Sequence, residues 1–212
     1  MQQTIFHERF SLSLRIWHWL TFVMVTIQIF TVMVGETFLD WQHSSFVINA
    51  AAQRKGAILT QEQNREIVMS LRDTIWKWHT YFGYILIGLF VFRILLEFFQ
   101  PKEERFIVKF KKGIHAAQKS NDTKNARHYL FVKFIYAIFY LLMTGIVGTG
   151  IWLALNNGNP SARDTFGEVR ELHETFYHVL LGFLFLHLGG VILNEFGKNK
   201  GLISYIFNGG KE

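Results

Sequence analysis

Apolar and polar positions segregate along this chain into long blocks rather than alternating. Between Arg15 and Glu36 lie 20 residues without Asp, Glu, Lys or Arg; Lys77 to Arg93 encloses 15, Lys133 to Arg163 encloses 29, and Glu174 to Glu195 encloses 20. In the third block the apolar part runs from Phe134 to Leu155. An α-helix rises about 1.5 Å per residue, so a hydrocarbon core about 30 Å thick takes about 20 residues. The pattern predicts four spanning helices over residues 14–35, 75–97, 132–155 and 171–194. The expected architecture is all-α: an integral membrane four-helix bundle with up-down topology, a single domain over residues 1–212. A soluble protein with buried helices is the alternative, and runs of this length disfavour it. Runs this long without alternation exclude β-barrel spans. The first run is too long for a secretory signal, follows a polar lead and lacks a small-residue cleavage site.

The polar segments orient the helices. Residues 102–127 carry eight Lys/Arg: Lys102, Arg105, Lys109, Lys111, Lys112, Lys119, Lys124 and Arg127. The N-terminal arm and the start of the first span add Arg9 and Arg15, and Lys198, Lys200 and Lys211 follow the last span. The segment Glu36 to Asp73 has four basic residues against five acidic ones, and Asn156 to Arg170 has two of each. The positive-inside rule puts both termini and the middle loop in the cytoplasm, which an even number of spans satisfies. The formal net charge of +6 is therefore mostly a topology signal. Insertion and anionic lipid explain the basic loop more simply than nucleic acid does. Leu59 to Leu71 has the pattern of a short surface helix, and Phe106 to Gln118 is amphipathic.

Composition narrows the chemistry. The chain has no cysteine, which excludes disulfides, cysteine zinc sites, Cys-ligated iron–sulfur clusters and thioether-attached haem. A redox metal here is held mainly by histidine. Four of the nine histidines are candidates by their depth in the spans: His18, His79, His173 and His187. Ionisable residues in a membrane helix point to function by default. His18 lies near the cytoplasmic start of the first helix and His187 near the cytoplasmic end of the fourth. His79 and His173 lie near the outer ends of theirs. The depths pair His18 with His187 and His79 with His173. Residues 173 and 187 are 14 apart, about 3.9 helical turns, so they face nearly one direction about 21 Å apart along the axis.

Two imidazole pairs stacked at two depths suit two non-covalent haems with both axial positions filled. Such haems carry electrons rather than bind a reactant at iron. Zinc is disfavoured because the four histidines divide between depths. A histidine proton channel leaves the pairing unexplained. Gly83 is one turn past His79 and Gly190 close to one turn past His187, where small residues let a flat macrocycle approach. Gly145, Gly148 and Gly150 in the third span serve that role or ordinary helix packing. Arg15 and Arg93 are candidates to pair with haem propionates, since guanidinium binds carboxylates in bidentate fashion. The alternatives are a topology anchor for Arg15 and an i,i+4 pair with Glu97 for Arg93. His178 lies about 140° round the helix from His173 and is not expected to ligate. His7, His43, His115 and His128 lie outside the spans or at a boundary and read as surface residues.

These residues resemble a known family. Arg15-Ile16-Trp17-His18-Trp19 resembles the R-x-x-H-W opening of the bacterial four-helix b-type cytochromes, which include bacterial cytochrome b561 and the cytochrome subunits of nickel–iron hydrogenases. Trp78-His79 followed by Gly83-Tyr84 resembles the H-x-x-x-G-Y element of the second span. His173-Glu174 with His187 is similar to the cytochrome b561 branch. Asn125-Ala126-Arg127-His128-Tyr129, with Thr149-Gly150 ending the third span, resembles the hydrogenase branch, although Ala126 stands where that branch usually has proline. The outer segment Glu36 to Asp73 is longer than in compact cytochrome b561.

The resemblance implies that His18 and His187 ligate an inner haem b and His79 and His173 an outer one. It also implies electron exchange with membrane quinone near the cytoplasmic haem. Lys133, Tyr136, Tyr140 and Arg15 are candidate quinone contacts by depth and hydrogen-bonding capacity. The expected protein is a di-haem cytochrome b of the bacterial inner membrane, an electron-transfer subunit linking the quinone pool to an outer-side redox partner such as a hydrogenase-like protein. The alternatives are a stand-alone cytochrome b561-type oxidoreductase acting on a small reductant such as superoxide, and a non-haem membrane transporter or scaffold.

Overall fold

The computed structural model describes residues 11–99, 105–119, 123–196 and 206–207. These are predominantly helical, with no strand among the described residues: α1 Leu12–Met33, continued by a π-helical turn Val34–Phe38; α2 Trp41–Arg54; α3 Gln61–Phe99; α4 Phe106–Lys119; α5 Thr123–Asn156; a 3₁₀ turn Pro160–Ala162; and α6 Arg163–Phe196. Among the described residues four helical stretches are long and apolar enough to cross a membrane, Leu12–Phe38, Gln61–Phe99, Phe134–Asn156 and Pro160–Leu193, with mean hydropathy between 1.6 and 2.0. His7, Arg9 and the C-terminal lysines lie outside the described residues, as do the side chains of Ala126, Arg127, His128 and Lys133. The chain divides into two compact units, Met1–His18 with Phe90–Glu212, and Trp19–Leu89.

In the unit Trp19–Leu89 the sequence expectation needs one correction. The stretch 59–71 is not a separate surface helix; it forms the first turns of α3, which runs unbroken for 39 residues into the second span. The reason is local. No Gly or Pro occurs between Gln61 and Phe82, and a capping box starts the helix: the Thr60 amide donates to Gln63 Oε1 (2.9 Å) and the Gln63 amide to Thr60 Oγ1 (3.2 Å). About thirteen residues of α3, roughly 20 Å, precede Thr74.

The segment before α3 is a second helix. Asp40 caps α2, its Oδ1 accepting from the amides of Gln42 (3.0 Å) and His43 (3.2 Å). At the far end the Ala57 amide returns to the Ala52 carbonyl and that of Gly56 to Gln53. This is a Schellman closure, with Gly56 at φ 75° where a side chain would be strained. α2 lies along the start of α3: the Asn64 amide donates to Ser45 O (3.1 Å) and Oγ (2.9 Å), and Arg72 pairs with Glu36 (3.4 Å). Loss of the Asp40 cap leaves two amides unpartnered. Asp40→Ala is expected to destabilise this hairpin by about 1 kcal/mol, seen as faster hydrogen exchange at residues 41–45.

In the other unit α5 packs along α6, and α4 against α5. Trp152 meets Phe166 at one end and Phe139 meets Phe183 at the other, so the two long helices are antiparallel. The amphipathic α4 appears where the pattern predicted it. Its first amide, on Phe106, donates to the Glu97 carboxylate at the end of α3. The Phe106 ring lies edge-on to Tyr140, 6.0 Å between centroids.

Candidate haem sites

The start of α1, the end of α3, the first half of α5 and the last part of α6 meet at one level. Trp17 packs edge-on to Phe139 (6.3 Å), and the Arg93 guanidinium lies over the rings of both Trp17 (5.8 Å) and Tyr140 (5.6 Å). Beside this cluster His18 and His187 face each other with ring centroids 6.5 Å apart. Phe183, one turn before His187, stacks parallel to its ring at 6.2 Å and 3°.

The pair fits a bis-histidine iron. A metal bound through one nitrogen of each ring, at about 2 Å per bond, puts the ring centroids about 6 Å apart. Gly190, close to one turn past His187, is exposed, and a Cβ there would meet nothing within 4 Å. Two buried guanidinium atoms, Arg15 Nε and Arg93 Nε, have no hydrogen-bond partner among the described residues, and both are donors suited to a carboxylate. Among the described residues no group of three or more His, Asp or Glu is placed to hold a bare ion.

Each proposed polar contact has a definite setting. Arg93, 9% exposed, makes the i,i+4 pair with Glu97 (3.3 Å) that its spacing allowed. Arg15 donates from NH1 to the carbonyl of Phe207. Tyr140 is held between Arg93 and Phe106, whereas Tyr136, one turn earlier, is 39% exposed. The Lys133 side chain lies outside the described residues.

The other two histidines sit in environments that resemble one another. Within the unit Trp19–Leu89, His79 Nδ1 is 2.9 Å from Thr31 Oγ1, and the His79 carbonyl accepts from Gln28 Nε2 (3.0 Å). Trp76, one turn earlier, packs edge-on to the imidazole at 5.4 Å. In the other unit His173 Nδ1 is 2.8 Å from Thr149 Oγ1. A Cβ at Gly150 would come within 3.2 Å of His173 Cε1, so glycine there leaves room for the ring. His178 is engaged elsewhere, its Nδ1 2.7 Å from the Glu174 carbonyl.

The glycine expectations separate. Gly83 does not face open space; a Cβ there would meet Gln28 Nε2 at 3.2 Å. Gly145 is a packing glycine, because the Phe176 ring occupies the place of its Cβ at 2.4 Å. At the exposed Gly148 and Gly190 a Cβ would meet nothing within 4 Å. Sequence reasoning did not single out Thr31, Gln28 or Phe183 and took Thr149 only as part of a motif. One signal was available: a polar residue in the middle of an apolar run, such as Gln28 or Thr31, needs an internal partner.

Comparison with curated proteins and with solved structures gives no match. The family model for prokaryotic cytochrome b561 matches residues 9–209. That match covers nearly the whole chain, its four apolar helices and His18, His79, His173 and His187; the chain belongs to the prokaryotic cytochrome b561 family and is a membrane electron-transfer protein that binds b-type haem.

Proposed function

We propose that the chain holds two b haems and passes electrons across the bacterial inner membrane, between the quinone pool and a redox partner on the outer side. The observation that carries this reading is the His18–His187 ring pair at 6.5 Å, together with His173 placed 14 residues before His187 on the same helix. In the proposed assignment His18 and His187 hold the inner haem. His79 and His173, whose register comes from the sequence, hold the outer one. A b haem with two axial imidazoles exchanges one electron at a time and offers no open coordination position.

The chain's own residues have distinct tasks in this scheme. Phe183 stacks on His187 and fixes its ring plane. Arg93 and Arg15 supply the donors for propionate carboxylates. Tyr136, Tyr140, Lys133 and Arg15 are the candidate contacts for quinone carbonyls near the inner haem, with Tyr140 kept in place by Arg93 and Phe106. Both termini and the basic middle loop are assigned to the cytoplasm from their charge.

The outer hairpin favours a subunit role over a stand-alone one. α2 and the first turns of α3 extend beyond the apolar run and expose Phe46 (74%) and Ile58 (92%). This is a surface suited to an outer-side redox protein. A redox-titrated visible spectrum of the purified chain, with haem quantified per chain, tests the reading. The expected result is two b-type components in a two-to-one haem-to-chain ratio, with reduction by a quinol. A chain without a reducible b-type spectrum would return the reading to a transporter or scaffold. Oxidation of superoxide by the purified chain alone would favour the stand-alone enzyme.

A further inference from the structure

Each histidine assigned to the outer haem touches a threonine whose own hydrogen is already committed. Thr31 Oγ1 lies 2.8 Å from the Gln28 carbonyl oxygen and 2.9 Å from His79 Nδ1. A carbonyl oxygen can only accept, so the single hydroxyl hydrogen goes to it. Lone pairs are what Oγ1 then presents to the ring, and the contact requires a hydrogen on Nδ1. Thr149 repeats the arrangement on a different helix. Its Oγ1 is 2.7 Å from the Gly145 carbonyl, 3.2 Å from that of Ile146, and 2.8 Å from His173 Nδ1. A neutral imidazole with hydrogen on Nδ1 carries its lone pair on Nε2.

We propose that Thr31 and Thr149 are positioning residues for haem ligation, fixing His79 and His173 in the Nδ1–H tautomer with Nε2 as the ligating atom. The inference rests on the assignment of those two histidines as ligands and adds what orients them. A threonine bonding to the preceding turn is ordinary in helices. Thr26 bonds the Phe22 carbonyl and Thr144 that of Tyr140 in this way. What separates Thr31 and Thr149 is the second contact, to a ring nitrogen, made twice in two independent settings. Neighbouring groups hold the geometry. Gln28 anchors the His79 backbone through its carbonyl, and Gly150 leaves the clearance that the His173 ring needs. A neutral hydroxyl also polarises the Nδ1–H bond less than a carboxylate would, so the ring stays a neutral imidazole.

Valine is close in shape to threonine and removes only the acceptor. Thr31→Val and Thr149→Val, prepared as the haem-loaded full chain, are compared with Thr31→Ser, Thr149→Ser and the controls Thr26→Val and Thr144→Val. Readouts are haem per chain, spectroelectrochemical midpoints and the EPR g-values of the ferric form. With the threonine acceptor on Nδ1–H removed, the ring donates less electron density to ferric iron. Each valine variant is therefore expected to raise the midpoint of one of the two components and to weaken retention of that haem about tenfold. Serine is expected to restore both properties, and the controls to match wild type. Where a valine variant fails to accumulate, cysteine, a weaker acceptor of similar size, replaces it, with a shift expected in the same direction. Unchanged midpoints and g-values at both positions overturn the proposal if His79→Ala and His173→Ala each still cost a haem. If those alanine variants keep both haems, the ligand assignment fails and the proposal with it.

Discussion

Replacing His187 by alanine is expected to abolish one of the two b-type components and leave the other, halving haem per chain. The imidazole faces His18 with ring centroids 6.5 Å apart, and nothing in alanine replaces a coordinating nitrogen. Phe183, stacked parallel to the ring, would lose its partner without filling the coordination position. Haem quantified by difference spectrum and by extraction checks the result. His178→Ala on the same helix is the internal control. Its Nδ1 is engaged with the Glu174 carbonyl (2.7 Å) and its ring lies edge-on to Tyr177. Both components are expected to survive in that variant; loss of one would show that the helical-face assignment of the ligands is wrong.

The second large effect is on stability. Arg93→Leu is expected to destabilise the protein by about 3 kcal/mol, the scale of removing one partner from a largely buried ion pair. The arginine side chain is 10% exposed and that of Glu97 24%. Its loss strands the Glu97 carboxylate, which also accepts from the Phe106 amide at the start of α4. It further removes the cation that sits over both Trp17 and Tyr140, each such contact contributing about 0.5–2 kcal/mol. Glu97→Gln is expected to be milder, because an amide oxygen can still accept from Phe106. Restoring part of the loss in Arg93→Leu/Glu97→Gln would identify the stranded carboxylate as the cause. Thermal unfolding in detergent, followed by tryptophan fluorescence, measures all three.

The four spans and four of the helices that carry them were legible because a charge-free run of about 20 residues has few solutions other than a membrane helix. The amphipathic α4 was legible for the same kind of reason, its apolar positions recurring with the helical period. The segment between the first two spans was read less well. Its charges look like a loop, yet α3 starts at Gln61 because the Thr60–Gln63 capping box is present and no residue interrupts the helix before the span. Charge density marks exposure to water and not the absence of a helix. α2 was not expected at all: Asp40 and Gly56, the residues that start and close it, are also ordinary loop residues.

The histidine register belongs to the chain as written. Helical rise and the spacing of His173 and His187 set two depths along α6 with no reference to any neighbouring helix. The absence of cysteine, likewise, excludes thiolate and thioether-attached haem. Contacts between distant parts of the chain depend on how helices pack and rotate, and spacing along one helix carries no record of that. Only the fold brings His18 to within 6.5 Å of His187, places Arg93 over Trp17 and Tyr140, fills the Gly145 gap with Phe176, and sets Thr31 and Thr149 on the Nδ1 atoms of two histidines 48 and 24 residues away.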